Sequence, residues 1–214
     1  MKRVVLIACL LMLVATIPAM ADQIVVGGTG GNVASFSALG AGGAVTMTTG
    51  SFTTSGSLES PTGNPVFTNG SINWTGGVNT LQSSNGGLTF GVSGSTWNFT
   101  YTGGVGSVSG TVTWVTFKDG SLVPNLVGTY TVTSCSGFNG VNCGNGGFQV
   151  GQNGGIDMTL NLGSGPVVDS IWNHGGTTNG RVSSGEIVQT PEPSSMMLIG
   201  VGLFGLAGLI RRKK

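Results

Sequence analysis

The feature that most constrains this chain is an alternation of apolar and polar residues with a period of two, broken at short intervals by glycine. In residues 156–162 the apolar set Ile156, Met158, Leu160 and Leu162 separates cleanly from the polar set Asp157, Thr159 and Asn161. Successive side chains of a strand point to opposite faces, so such a run predicts a half-buried β-strand. Val108, Val112 and Trp114 stand opposite Ser109, Thr111 and Thr113 in another run, and Tyr130 and Val132 alternate with Thr129, Thr131 and Thr133. Leu88, Phe90 and Val92 lead through a Gly-Ser turn to Trp97, Phe99 and Tyr101. Gly76-Gly77, Asn85-Gly86-Gly87, Gly103-Gly104, Asp119-Gly120 and Asn153-Gly154-Gly155 read as the turns between runs.

Composition points the same way. Glycine supplies 41 of the 214 residues and charged residues only 7%, against roughly 25% in an ordinary soluble domain. Glycine is too flexible for helix, and Ser, Thr and Asn compete for backbone hydrogen bonds, so strands and tight turns are favoured. Hydrophobic residues at 39% are enough for a core and argue against disorder. No amphipathic helix stands out in the body. Short strands without helical crossovers predict an all-β fold, an antiparallel β-sandwich or jelly-roll-like body over residues 22–185.

The net charge of +1 is carried by the ends. Lys2 and Arg3 open the chain and Arg211, Arg212, Lys213 and Lys214 close it. Between Asp22 and Thr190 only Lys118 and Arg181 stand against six acids, so the body is acidic. A phosphate-neutralising surface needs the opposite balance, which excludes nucleic acid as a partner. Lys2 and Arg3, the apolar residues 4–17 and the small residues Ala19 and Ala21 form a secretion signal, residues 1–21, with Asp22 as the first mature residue and signal peptidase as the processing partner. Leu6-Ile7-Ala8-Cys9 looks like a lipobox but falls too early, because an apolar stretch of about 7–15 residues must precede it.

At the other end, a linker over 186–195 contains Pro191-Glu192-Pro193, followed by the apolar run 196–210 and the basic tail 211–214. A helix over 196–210 is about 22 Å long at ~1.5 Å per residue, short of the ~30 Å hydrocarbon core. The basic cluster acts as a stop-transfer signal held on the cytoplasmic side. Pro-Glu-Pro, a short Gly- and Leu-rich transmembrane helix and a terminal basic cluster, in that order, resemble the PEP-CTERM sorting signal of Gram-negative bacteria. The resemblance covers residues 191–214 alone. It implies recognition of Pro191, Glu192 and Pro193 by an exosortase, a membrane protease. Transient anchoring through the helix would follow, then transfer to the cell envelope surface or the extracellular space, often beside exopolysaccharide. A sorting tag says where a protein goes and leaves the task of the body open.

Cys9 leaves with the signal, so Cys135 and Cys143 remain and predict a disulfide in an oxidising compartment, with Phe138 displayed on the enclosed loop as the functional alternative. His174 is the lone histidine, which rules out a histidine metal cluster, and no Gly-x-Ser-x-Gly elbow is present. No catalytic residue, metal ligand or cofactor is assigned. The carboxylates Glu59, Asp119, Asp157, Asp169 and Glu186 read as solvated surface groups, and a hydrolytic pair is the weakest reading. Trp97 and Trp114 belong to apolar faces. Trp74 and Trp172, beside Asn and turn residues, are the candidates for stacking on a sugar ring. Three Asn-x-Ser/Thr sequons, at Asn69, Asn73 and Asn98, are no more than this composition produces by chance. A flat Thr-x-Thr ice-binding face needs a regular ladder over several strands, and the spacing in Thr46-Met47-Thr48-Thr49 and Ser51-Phe52-Thr53-Thr54 is irregular, so these read as ordinary solvent-facing threonines. The resulting expectation is a non-enzymatic exported protein of structural or adhesive role, with a lectin-like module for exopolysaccharide as the alternative.

Overall fold

The computed structural model describes residues 23–40, 42–59, 65–83, 88–104, 106–119, 122–137, 143 and 148–189. They form one compact β-domain within Asp22–Gln189. The expected signal peptide 1–21, the motif Pro191-Glu192-Pro193 and the expected sorting helix over 196–210 lie outside the described residues. Among the described residues no helix is long and apolar enough to cross a membrane.

The alternating runs become strands β1 (Gln23–Val26), β2 (Ala34–Ala38), β3 (Val45–Thr49), β4 (Ser51–Glu59), β5 (Pro65–Thr75), β6 (Val78–Ser83), β7 (Thr89–Gly94), β8 (Trp97–Gly103), β9 (Gly106–Lys118), β10 (Asn125–Ser136), β11 (Asn153–Asn161) and β12 (Gly176–Gln189). All belong to a single antiparallel sheet. Four pairs of strands are long paths interrupted once: β1/β2, β3/β4 at Gly50, β5/β6 at Gly76-Gly77, and β7/β8 at Ser95-Thr96. Each path pairs with the next in sequence, β9 to β12 continue the meander, and β12 returns to pair with both β1 and β2. The sheet is therefore closed, an eight-path up-and-down barrel. This corrects the expected sandwich or jelly roll: alternation reports a half-buried strand but is silent on whether the buried face meets a second sheet or its own continuation.

Backbone bonds stitch the interruptions together across the sheet, with Thr49 N–H donating to Gly77 O (2.9 Å), Gly76 N–H to Gly50 O (3.1 Å) and Ser95 N–H to Val78 O (3.0 Å). The uninterrupted strands bend by bulges, which leave Val115 of β9, Thr133 of β10 and Ser183 of β12 without a register partner. The bulge explains an otherwise odd valine: Val115 is pushed outward and is 53% exposed.

The barrel is filled by large rings. Trp74, Trp97, Trp114, Tyr101, Tyr130, Phe36, Phe90, Phe99, Phe117 and Phe148 are all buried. Their contacts run in series: Phe148–Tyr130 at 6.2 Å between centroids, Tyr130–Phe99 at 6.1 Å, Phe99–Trp74 at 5.8 Å and Trp74–Phe52 at 5.9 Å. Several rings lie over a glycine directly across the ladder, in the register pairs Tyr130↔Gly154, Phe99↔Gly110 and Trp114↔Gly128. A Cβ on any of these glycines would overlap the facing ring or the neighbouring backbone. Small residues opposite large ones are how a narrow barrel accommodates its interior. Gly154 and Gly155, expected as a turn, are internal to β11, and for Gly154 the reason is packing against Tyr130.

Outside, the same strands present Thr, Ser, Asn and a few charges. That is the inverse of a lipid-facing barrel, which is apolar outward. One helix, α1 (Val168–His174), interrupts the β pattern between β11 and β12 and buries Val168 and Ile171, with Gly175 N–H donating to Ile171 O (2.7 Å) to close it. The expected linker begins later than 186: Glu186 to Gln189 are the end of β12, and Ile187 is fully buried.

Adjacent glycines therefore respond differently to one added methyl. Gly154→Ala drives a Cβ into the Tyr130 ring and Val188 O and should cost about 1–3 kcal/mol, as overpacked cores do. Gly155→Ala faces open space and should be neutral or stabilising by up to about 1 kcal/mol. Equal urea midpoints for the two variants would contradict this packing.

Candidate functional site

The barrel has two unlike ends. At one, the first and last strands meet, with Gln23 opposite Val188 and the Gln23 side-chain amide donating to Glu59 Oε2 (2.9 Å). Gln189, the last strand residue, is buried and donates from Nε2 to Gln152 Oε1 (3.0 Å). The β10–β11 connection belongs to this end and carries the Cys135–Cys143 disulfide, with a Cα–Cα distance of 5.8 Å. Cys143 bridges to Phe148, which is fully buried beside Tyr130. The disulfide thus ties Cys143, which bridges to Phe148, to the end of β10. Phe138, the residue expected on display, lies outside the described residues, as do Ala19, Ala21, Pro191, Glu192 and Pro193.

The opposite end gathers α1 and the β2–β3, β6–β7 and β9–β10 connections. Trp172 is half-buried here, edge-on to Phe90 at 6.3 Å. Its backbone carbonyl accepts from Gly42 N–H (3.1 Å), so it anchors the β2–β3 loop while part of the indole stays at the surface. Asp119 reaches α1, where its Oδ2 accepts from Asp169 N–H, and Asp169 Oδ1 accepts from Asn173 Nδ2 (2.9 Å). Burial pushes the Asp119 carboxyl above its ordinary value of 3.8, the Asp169 amide offsets part of this, and the Asp169 charge adds to it. This is a cap on a short helix, formed by two acids that stand 50 residues apart in the chain. A second carboxylate pair, Asp157 opposite Glu186, sits on the convex outer surface of the sheet. His174 lies exposed at the end of α1, with its ring nitrogen against Ser170 O. Among the described residues no group of three His, Cys, Asp or Glu stands close enough to hold a metal.

Trp74 requires a correction. Its indole is 1% exposed, stacked on Phe52, and its Nε1 donates to Thr54 Oγ1 (3.0 Å) inside the barrel. No face is left for a sugar. Trp74 falls on the inward side of β5 because its neighbours Asn73 and Thr75 are the outward ones.

Those outward neighbours belong to a feature that linear reading missed. Register aligns Ser51, Thr75, Asn98, Thr111 and Thr131 in one row across β4, β5, β8, β9 and β10. Thr53, Asn73, Thr100, Ser109 and Ser134 form the next row, and Ser55, Ser71, Thr102, Ser107 and Ser136 the third. Every position in the three rows is Ser, Thr or Asn. Cross-strand bonds hold several in place: Thr53 to Asn73 (2.8 Å), Thr100 to Ser109 (3.0 Å) and Ser107 to Ser136 (3.2 Å). The rows arise from antiparallel register, which sets every second residue of β4, β5, β8 and β9 side by side, with one bulge at Thr133 keeping β10 in step.

Comparison with known families adds one match, to the PEP-CTERM protein-sorting motif over residues 189–213. The chain carries a PEP-CTERM sorting signal. That signal marks an exported protein, sorted by an exosortase and associated with the cell envelope. It starts at Gln189, where β12 ends. No curated protein and no solved structure matches the chain.

Two measurements test these ends. A carboxyl harder to ionise in the folded state binds its proton more tightly there, so native stability falls as pH rises from 3.8 through the raised native value, and the deficit persists above it. Asp119→Asn keeps an oxygen acceptor for the Asp169 amide and removes the titration. Its melting temperature should gain on the wild type across that window, whereas parallel pH profiles would contradict the argument. Reduction of Cys135–Cys143 should lower stability by about 2–3 kcal/mol, the value for so short a loop, read as a drop in urea midpoint with added reductant.

Proposed function

We propose that this protein is a non-enzymatic surface or matrix component of structural or adhesive role, delivered in two cuts. Signal peptidase cleaves after Ala21. The helix over 196–210 then holds the chain in the membrane until an exosortase acts near Pro191-Glu192-Pro193 and frees the barrel. The single observation that carries this reading is the junction at Gln189: the sorting match begins where the last buried strand residue ends. A folded body followed at once by a processing signal is the arrangement expected when the body is cargo.

The non-enzymatic part is supported by where the acids stand. One carboxylate pair caps α1 and the other lies on a convex face, whereas glycoside hydrolysis needs two carboxyls flanking a bound bond. A second reading, a carbohydrate-binding module, is favoured by the neutral hydroxyl ladder rather than by the tryptophans.

Mass spectrometry of the protein recovered from the cell surface should find an N-terminus at Asp22 and a C-terminus near Pro191. Glu192→Ala should leave the chain in the membrane fraction with its C-terminus intact through Lys214. Recovery of surface protein that still ends at Lys214 would make residues 196–210 a permanent anchor and overturn the second cut.

A further inference from the structure

The ladder is a chemically uniform surface spanning five adjacent strands. Its fifteen positions carry hydroxyl or amide side chains and no charge. The described charged groups lie elsewhere. Lys118, Asp119, Asp169 and His174 are near the α1 end, Asp157, Arg181 and Glu186 are on β11 and β12, and Glu59 is at the end of β4. None of the exposed large apolar side chains falls in the three rows.

We infer that this face is a docking surface for a neutral, hydroxyl-rich polysaccharide; the inference deepens the carbohydrate-binding reading given above. The chemistry selects that partner by elimination and by complement. An anionic polymer or lipid headgroup needs Arg or Lys to offset its desolvation, and the rows have neither. An apolar partner needs exposed hydrocarbon, and the rows have little beyond threonine methyls. A neutral sugar chain brings hydroxyls that exchange bonds to water for bonds to Ser, Thr and Asn at small net gain, about 0.5–1.5 kcal/mol each. Each hydroxyl has one donor and two acceptor positions, so those already bonded to a cross-strand neighbour still have capacity. The neighbour's bond fixes their direction, which lowers the ordering cost of docking.

The repeat suits a polymer. Side chains recur about every 4.8 Å across strands and about 6.8 Å along them, on the scale of a single sugar ring. Many weak equivalent contacts along one chain then add through effective concentration. No aromatic platform is required, which fits the burial of Trp74.

The test uses the exported protein, pelleted with cellulose or an insoluble β-1,3-glucan and run through gels containing dextran or the anionic polymer alginate. The wild type should be retained by at least one neutral polymer and pass alginate unretarded. Asn73→Lys with Asn98→Lys, placing two cations in adjacent rows, should weaken retention at least tenfold. Thr100→Val with Thr111→Val, which removes hydroxyls at nearly constant shape, should weaken it severalfold. Thr177→Lys with Asn179→Lys on the far strand β12 should leave it unchanged, and matched melting temperatures show that all variants fold. Passage through every neutral polymer, retention by alginate alone, or equal losses in the ladder and β12 pairs would overturn the inference. So would concentration-dependent self-association that the ladder variants abolish without any glycan retention. Retention by protein still ending at Lys214 would support this face while sinking the proposed second cut.

Discussion

The rest of the structure depends on the contact of aromatic rings with glycine backbone across the barrel interior. A closed eight-path sheet leaves a narrow lumen, and one large side chain from every inward position would overfill it. The chain resolves this by opposing bulk with nothing: Tyr130 lies on Gly154, Phe99 on Gly110 and Trp114 on Gly128. The glycine content that looks like looseness in the composition is, at these positions, a packing device. It also sets a cost. Glycine in a strand forfeits roughly 0.5–1 kcal/mol relative to alanine, which must be recovered from the buried rings it admits.

Closure has a second consequence in the order of assembly. The seam is β1 against β12, the first strand of the domain against the last, separated by most of its length. Such non-local pairing is entropically slow to form. The barrel therefore remains incomplete until residues next to the sorting signal have taken their place. Gln189 is at once the last bonded strand residue and the first matched residue of the signal. The disulfide lies at the same end and braces Phe148 against Tyr130, at the rim where chain entry and exit converge.

Much of the fold was legible because period-two alternation is a strong local signal. Residues 156–162 fall within or beside β11 with the expected inward set, and Val108, Val112 and Trp114 are buried on β9. Closure was not legible, since it depends on which distant strands pair. Trp74 was misjudged because its polar neighbours suggested exposure, when on a strand they imply that Trp74 points the other way. The helix α1 has seven residues with two buried, too short for a 3.6-residue period to register. The ladder was hidden for a related reason. Its rows run perpendicular to the chain, so each draws single residues from five separate segments, and only register assembles them.

Among the described residues every strand has a neighbour on both sides, so the sheet has no edge strand. A closed sheet lacks the exposed edge strand through which β proteins add to one another edge to edge. Contacts that the folded barrel makes with another molecule are therefore built through side chains on its outer faces.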